Sequence, residues 1–231
     1  MSVKYRVILD TETAGGLSYP LPYDFSYQIV KGKNMDVVVR RAFVIREVYD
    51  NKELMDSAYY KEKIPLYEKR LETGEAKKVS QYTARKIFLE DCKKYHVKEL
   101  YAYNMMFDYR ACNNLIRFVS KNRYRWFFPK KFKLCCIWAM SADAFLASRK
   151  YYEMAVNKGW FTEKGNVISN AECAFRFCSG QELFEEKHIG IDDVKIETEI
   201  LRFCLQSHKK LNRKPKGGIW QKAQKWNKKG E

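Results

Sequence analysis

The sequence has little of the composition that marks disordered or membrane-spanning chains. Only 11 Gly and 5 Pro occur among 231 residues, whereas 46% of the residues are hydrophobic and 15% are aromatic, so the chain is not intrinsically disordered. It contains no run of about 18 uncharged apolar residues, which excludes a membrane-spanning helix. Residues 1–6 also lack the apolar segment of a standard signal peptide. We therefore expect a soluble, globular, cytoplasmic protein with no membrane partner.

The cysteines form no pattern of crosslinks or metal ligands. There are seven, an odd number, and no two are spaced as Cys-x-x-Cys. A chain of this length can bury a sizeable core without disulfides. We expect reduced, buried thiols, in keeping with a reducing cytoplasm.

Acidic residues are scarce relative to basic ones. The sequence has 28 Asp and Glu against 44 Lys and Arg, a formal net charge of +16. Residues 209–231 hold nine basic residues and one acidic residue, which is half of this excess in a tenth of the chain. A basic body with a more basic end predicts a polyanionic partner, nucleic acid rather than membrane, although such an end can also serve solubility alone. We divide the chain into a domain over residues 1–208 and a basic C-terminal tail over residues 209–231.

The tail also carries an apolar pattern. Ile219, Ala223 and Trp226 have the spacing of one face of a helix, with lysines on the other sides. This face could dock on the body of the protein. Alternatively, the lysines could bind phosphates while Trp220 and Trp226 stack on unpaired bases.

Extended segments predominate in the first part of the chain. Strands are predicted over Val3–Leu9, Phe25–Val30 and Met35–Ile45, from their β-branched and aromatic residues. The last two are separated by Lys-Gly-Lys-Asn at 31–34, which indicates a hairpin. Residues 46–78 are charged and poorly patterned, and we expect short helical pieces there.

Strands and helices alternate afterwards, and helices end the chain. The predicted helices are Ser80–Tyr95, 109–120, 141–157, 170–178 and 192–208, and the predicted strands are Glu99–Tyr103 and Leu134–Trp138. This order predicts an α/β fold with a mixed sheet of about five strands flanked by helices. It matches a ribonuclease-H-like core, although other mixed sheets would satisfy it equally.

Two acidic residues follow the first predicted strand. Asp10 and Glu12 are two residues apart, so in an extended chain their side chains point to the same side. Like charges this close repel unless a cation or a proton lies between them. The Asp-x-Glu pattern is common, and by itself it is a weak indication of a metal site.

Two further segments carry acidic residues at predicted helix starts. Asp108 follows the strand Glu99–Tyr103, where an ordinary helix N-cap is the alternative interpretation. His188 and Asp193 are just over one helical turn apart, so both can face one cleft. Asp192 and Asp193 could equally be acidic residues favoured by the dipole of the last long helix.

Together, these segments resemble the motifs of the DEDDh branch of the DEDD superfamily of 3′–5′ exonucleases. This branch includes the proofreading subunit of bacterial replicative polymerases and RNA-trimming exonucleases. The resemblance spans roughly residues 3–205. Its motif residues are Asp10, Glu12 and Thr13, then Asn104, Phe107 and Asp108, then His188 and Asp193.

Three positions refine this resemblance. The DEDDy branch would need Tyr where this chain has Ile189, so the His branch is the better match. The family usually has His where this chain has Tyr103, and often Ala where it has Gly190. Neither of these two positions is a metal ligand in the family, so the departures bear on substrate contacts rather than on activity.

The resemblance implies a metal-dependent mechanism. Asp10, Glu12, Asp108 and Asp193 would hold two Mg²⁺ or Mn²⁺ ions, which prefer oxygen ligands. His188 would act as the general base, and 5′-mononucleotides would be released from a 3′ end. By the same resemblance Thr13, Asn104 and Phe107 would contact the terminal nucleotide, although Phe107 could also be a core residue.

The resemblance implies a nucleic-acid partner, with single-stranded DNA or frayed 3′ ends expected first. An exonuclease that trims RNA 3′ ends is one alternative, and a binding module without catalysis is another. The complete set of five catalytic residues argues against the binding module. Proofreading by this chain would require a separate polymerase as its partner.

Overall fold

A mixed β-sheet forms the centre of the computed structural model, which describes residues 4–121 and 125–227. In the described residues the sheet has six strands, against about five predicted: β1 Tyr5–Ala14, β2 Leu21–Lys31, β3 Asp36–Ile45, β4 Lys77–Val79, β5 Glu99–Ala102 and β6 Lys133–Cys136. Their order across the sheet is β4-β3-β2-β1-β5-β6. The predicted α/β class with a mixed sheet is confirmed. The additional strand, β4, is a three-residue edge strand parallel to β3.

The first three strands form an antiparallel unit, and the later strands join it in parallel. The predicted hairpin between β2 and β3 is confirmed, with Gly32 and Met35 in the left-handed region of its turn. On its other edge β1 pairs in parallel with β5. Because parallel strands end at the same edge of a sheet, the residues that follow β5 lie beside the end of β1.

β1 is longer than predicted, and Asp10 and Glu12 lie within it rather than beyond its end. Its pairing with β2 continues to Ala14, with a register shift after Glu12. The polar residues stay extended because β2 supplies hydrogen-bonding partners along the whole strand. Val3, the first residue of the predicted strand, lies outside the described residues. Gly15 then turns the chain, with φ +83° and a position where an added Cβ would lie 2.9 Å from the carbonyl oxygen of Tyr19.

Most predicted helices are present with shifted ends. The helix predicted over Ser80–Tyr95 is confirmed, and the Ser80 hydroxyl caps it by accepting from the Thr83 amide at 3.1 Å. The helices of the described residues are α1 Arg46–Tyr49, α2 Lys52–Asp56, a 3₁₀ turn Lys61–Lys63, α3 Ile64–Glu72, α4 Gln81–Lys94, α5 Met105–Ser120, α6 Ile137–Ser141, a π-helical segment Ala142–Leu146, α7 Arg149–Lys158, α8 Ala171–Ser179, α9 Gly190–Gln206 and α10 Trp220–Ala223.

Two of the predicted segments differ from the structure in more than their ends. The predicted helix over 141–157 is divided, because Ser148 adopts an extended conformation and caps α7. The predicted strand Leu134–Trp138 ends at Cys136, after which α6 begins. The short strand leads directly into a helix without a Gly or Pro to mark the boundary.

Helices cover the sheet and bring their own residues to it. α9 packs against β1, β2 and β3, whereas α5 packs against β1, β2, β5 and β6. An aromatic cluster fills the core between β2 and α4, where Phe25 lies 5.5 Å from Phe88 and 4.9 Å from Phe127, measured between ring centroids. This core fixes the sheet against α4 and α5 and thereby positions the end of β1 next to the start of α5.

The described part of the tail, residues 209–227, packs on the body of the protein. Ile219 and Ala223 are buried. The Gln224 side chain accepts from the Val167 amide at 2.7 Å and donates to the Val167 carbonyl at 3.0 Å. These contacts agree with the docking interpretation of the tail, whereas substrate binding by the tail stays a prediction. Residues 228–231 lie outside the described residues.

The cysteines and the absence of long apolar segments were the two remaining subjects of prediction. All seven cysteines are free, and six of them are buried. No helix within residues 4–121 and 125–227 is both long enough and apolar enough to cross a membrane.

Candidate active site

One cleft, with a volume of about 610 Å³, opens where β1 and β5 approach the first turns of α5 and α9. All five residues predicted to act in catalysis line it: Asp10, Glu12, Asp108, His188 and Asp193. They come from three segments that are distant in sequence. The fold therefore assembles the carboxylates that the sequence motifs singled out.

Asp10 and Glu12 are brought together by the extended backbone of β1. The Oδ2 atom of Asp10 is buried and has no hydrogen-bond partner in the described part of the chain. Burial raises the pKa of Asp10 well above its usual range, and the charges of Glu197 and Glu12 raise it further. A dianionic pair at this position needs a cation.

Asp108 lies inside the first turn of α5 and is not its N-cap, so the capping interpretation is wrong. The N-cap position belongs to Asn104, four residues earlier, because α5 begins at Met105 rather than at Tyr109. Asp108 is buried, and its Oδ1 accepts a hydrogen bond from the Thr11 hydroxyl at 2.9 Å. Burial raises the pKa of Asp108 to about 7, against the opposing effect of this hydrogen bond. α5 thus presents Asp108 directly to β1.

Asp193 and its neighbour Asp192 face different surroundings. Asp193 is buried in the cleft, where burial first and the charge of Glu186 second raise its pKa to about 8. Asp192 points away and forms ion pairs with Arg70 at 2.7 Å and Lys195 at 2.6 Å. The structure therefore places Asp193 in the cleft and Asp192 in a group of ion pairs outside it.

His188 is held next to the carboxylates just before α9. It does not lie in the helix, which begins at Gly190, and its backbone has φ +52°. Ligand-type atoms of Glu12, His188 and Asp193 all lie within 4.8 Å of one another. The imidazole stacks on the Tyr60 ring, with centroids 3.9 Å apart and planes 8° apart. Burial lowers the pKa of His188, which favours the neutral ring that can accept a proton.

Gly190 is required by a buried carboxylate behind the cleft. Its amide donates to Asp24 Oδ2 at 3.2 Å, and an added Cβ would lie 2.8 Å from Asp24 Oδ1. Asp24 also accepts from the hydroxyls of Ser26 at 2.6 Å and Tyr67 at 2.7 Å. It stands opposite Glu12 in the β1–β2 register. Asp24 thereby ties the start of α9 to the strand pair that carries Glu12.

Glu197 is a carboxylate of the cleft that the motifs did not predict. It follows Asp193 by four residues on α9, so both side chains lie on the same face of the helix. The residue is 3% exposed, and its Oε2 has no hydrogen-bond partner among the described residues. Burial and the charge of Asp108 raise its pKa well above the usual range. The i, i+4 spacing from Asp193 was the one signal in the sequence.

Aromatic residues and uncharged residues of the loop between α7 and α8 line another part of the cleft. Tyr103 donates its hydroxyl to the Ser169 carbonyl at 2.7 Å, and its ring stacks on Trp138 at 6.2 Å. Trp220, from the docked C-terminal segment, lines the same cleft and is 43% exposed. Tyr103 occupies the position where the resembling exonucleases usually have His. Its contacts with Ser169 and Trp138 position this aromatic side of the cleft.

Two of the three predicted nucleotide contacts lie in the cleft. Asn104 and Phe107 line it, at the first turn of α5. Thr13 is not among the described residues that line it, and it follows the register shift in β1. The register shift separates Thr13 from the Asp10–Glu12 pattern.

The donor atoms of the cleft fit a hard divalent cation. The carboxylates of Asp10, Glu12, Asp108 and Asp193 all line it, and carboxylate oxygens are the ligands that Mg²⁺ and Mn²⁺ prefer. The unpartnered Asp10 Oδ2 is a buried acceptor for which a cation is a natural partner. The chain therefore has residues that could bind a divalent metal.

Comparisons with solved structures agree with this architecture, whereas comparisons with sequences find no match. No family model and no curated protein sequence matches the chain. Among solved structures, E. coli exonuclease I in complex with a dT13 oligonucleotide is similar over 86% of this chain, with a TM-score of 0.54 and 14% identity. This chain spans 40% of the length of that enzyme.

Two further structures cover most of both chains. The nuclease domain of 3′hExo, a DEDDh family member bound to rAMP, matches with a TM-score of 0.55 and 12% identity, over 91% of this chain and 97% of that one. A 3′-exonuclease that recognises a histone mRNA stem-loop matches with a TM-score of 0.54 and 13% identity, over 92% and 86% of the two chains. The chain therefore has the ribonuclease-H-like fold of the DEDDh 3′-exonucleases.

Proposed function

We propose that the chain is a metal-dependent 3′–5′ exonuclease that removes 5′-mononucleotides from the 3′ end of DNA. The observation that carries this proposal is that one cleft is lined by the carboxylates of Asp10, Glu12, Asp108 and Asp193 together with His188, whose pKa is lowered by burial. The fold supports the proposal, and so does the net charge of +16, which favours a polyanionic substrate. The free cysteines fit a reducing, cytoplasmic location.

Each residue has a defined part in the proposed reaction. Asp10, Glu12, Asp108 and Asp193 would hold two divalent ions. When bound, such ions activate water and neutralise charge on the phosphate. His188 accepts the proton of the attacking water, and the stacked Tyr60 ring keeps the imidazole oriented. Asn104 and Phe107 contact the terminal nucleotide.

The direct test compares two neighbouring acidic residues. We expect Asp193→Asn to abolish digestion of 3′-terminal nucleotides, since it removes a carboxylate from the cleft. Asp192→Asn is the matched control, because the adjacent side chain pairs with Arg70 and Lys195 outside the cleft, and it should retain activity. If Asp193→Asn digested DNA in Mg²⁺ as fast as Asp192→Asn and the wild-type protein, the assignment would be disproved.

A substrate panel defines the reaction. The panel holds 5′-labelled single-stranded DNA, blunt duplex DNA and RNA, each with Mg²⁺, with Mn²⁺ and with EDTA. We expect DNA shortened stepwise from the 3′ end, 5′-mononucleotides as products, and no reaction in EDTA. A strong preference for RNA would replace the DNA assignment with an RNA-trimming one. If the protein acts in proofreading, we propose a separate polymerase as its partner. Co-purification with a polymerase would test this.

A further inference from the structure

A second groove, with a volume of about 390 Å³, continues from the cleft along α5. Asn104 and Phe107 line both cavities, so the groove adjoins the cleft at the proposed position of the terminal nucleotide. Beyond them it is lined by Tyr109, Arg110, Arg117 and Trp126. Phe107, Arg110, Asn114 and Arg117 are spaced as one face of the helix.

The groove presents two guanidinium groups that pair with no acidic side chain of the described residues. In the two described stretches of chain, neither Arg110 nor Arg117 forms an ion pair with a carboxylate. Arg110 lies over the Phe107 ring at 5.8 Å and donates to the Leu17 carbonyl at 3.2 Å. Arg117 lies over the Trp126 ring at 5.6 Å. The aromatic contacts hold both cations in place while leaving their charge available to an anion.

The two arginines are placed so that one extended ligand could contact both. They are seven residues apart on α5, which is about 10 Å along the helix axis. The first is next to the shared residue Phe107, and the second is farther from the cleft. A polyanion that leaves the cleft past Phe107 would meet them in turn.

The aromatic lining favours unpaired bases. Trp126 is 36% exposed and stacks on Tyr109, with centroids 6.3 Å apart and planes 15° apart. A partly exposed indole with a fixed orientation is a platform on which a base can stack without regard to sequence. In a duplex the bases stack on one another and are not free for this contact.

We propose that this groove binds the nucleotides that precede the 3′-terminal one in a single strand. Their phosphates pair with Arg110 and Arg117, and a base stacks on Trp126. This inference rests on the proposed function, because it places the 3′ end in the cleft. It assigns a single strand, rather than a duplex or a peptide, as the occupant.

The test measures binding separately from hydrolysis. Binding of 5′-labelled (dT)12, whose 3′ end is free to enter the cleft, is followed by fluorescence anisotropy with Ca²⁺ in place of Mg²⁺. For Arg110→Ala with Arg117→Ala we expect affinity about tenfold weaker or more, and a slope of log K against log salt that is flatter by about 1.4, or 0.7 per phosphate contact. For Trp126→Ala we expect a loss of about 5- to 150-fold, largely restored by Trp126→Phe.

The matched control is Lys150→Ala, an exposed residue of α7 that lines neither cavity, and it should leave binding unchanged. Hydrolysis of p-nitrophenyl thymidine 5′-phosphate, too short to reach the groove, should proceed at wild-type rate in all these variants. If wild-type protein lacks this hydrolysis, the proposed function fails. Normal (dT)12 affinity and salt slope in the arginine and tryptophan variants would overturn the groove alone. An equal loss for a blunt duplex would overturn the assignment to a single strand.

Discussion

Glu197 is the residue whose charge raises the pKa of Asp10 most strongly, and each has a buried oxygen without a hydrogen-bond partner among the described residues. The two come from α9 and β1, which pack against each other. Glu197 thus adds a fifth carboxylate to the four that the motifs predicted. Its proximity makes the metal-free site more repulsive and a cation in it more strongly held.

This relationship predicts opposite effects of one substitution on two measurements. Glu197→Gln should raise the melting temperature of the metal-free protein at neutral pH and above, because it replaces a buried carboxyl group, whose ionisation the fold disfavours, by a neutral amide. It should weaken Mn²⁺ binding in calorimetry by about 10- to 100-fold, the scale for groups that support a metal site.

Glu199→Gln is its control on the same helix, since Glu199 pairs with Arg202 at the surface. Neither measurement should change in this variant. Unaltered Mn²⁺ affinity in Glu197→Gln would show that Glu197 has no part in the metal site.

Gly190→Ala should destabilise the protein through Asp24. The new Cβ would lie 2.8 Å from Asp24 Oδ1, a contact that forces a shift in a well-packed region. We expect a loss of about 1–3 kcal/mol in the free energy of unfolding, measured by urea denaturation. Gly217→Ala should be nearly neutral, because nothing lies within 4 Å of the added atom. Similar stabilities of the two variants would contradict the close contact.

His188 and Tyr60 should act as one unit in catalysis. His188→Ala should lower kcat by about 10²- to 10⁴-fold, the usual scale for a general base. Tyr60→Ala exposes the imidazole, and because burial is the main cause of the lowered pKa of His188, that pKa should rise. The acid limb of the pH–rate profile should then move to higher pH. Tyr60→Phe keeps the stacking ring and should leave the limb in place, so a matching shift in both variants would refute the role of stacking.

The stability of the metal-free protein should fall as pH rises. Burial raises the pKa of Asp24 to about 6, of Asp108 to about 7 and of Asp193 to about 8. A carboxyl group whose pKa is higher in the folded state binds its proton more tightly there, so it stabilises the fold at low pH. That stabilisation is lost between about pH 4, where the unfolded chain deprotonates, and about pH 8.

Added metal should counter this loss, because cations pair with the deprotonated groups. Thermal melts from pH 4 to pH 8, with EDTA and with Mn²⁺, would measure the difference. We expect Mn²⁺ to raise the melting temperature more at pH 8 than at pH 5. An equal effect at both values would indicate that these carboxylates do not bind the cation.

The sequence predicted the site better where short motifs marked it than where packing alone did. Asp10 lies in β1 and Asp108 lies in the first turn of the helix that follows β5, so their proximity follows from the parallel pairing of β1 and β5. Tyr60 comes from a charged region without periodicity, and Trp126 carries no motif. Their roles depend on long-range contacts that no local spacing encodes. The motif match did not foresee the register shift before Thr13, and the contact of Thr13 with the terminal nucleotide stays a prediction.

The secondary structure shows the same contrast between elements that local sequence predicts and elements that depend on long-range pairing. Helices with apolar faces, such as α4, were predicted nearly to the residue, since burial and capping agree locally. β4 was missed because Lys-Lys-Val is too short and too polar to read as a strand, and it exists only through its pairing with β3. The end of β1 was placed too early because its polar residues are kept extended by a partner strand.

The two hydrogen bonds between Gln224 and Val167 join the C-terminal segment to the loop that borders the cleft. These bonds hold the segment that carries Trp220 against the cleft. Proteolytic cleavage after Lys216 would weaken the attachment of the segment that carries Trp220 and would leave every carboxylate of the cleft unaltered. Occupied protein should resist such nicking, and the rate of cleavage there would report occupancy of the cleft.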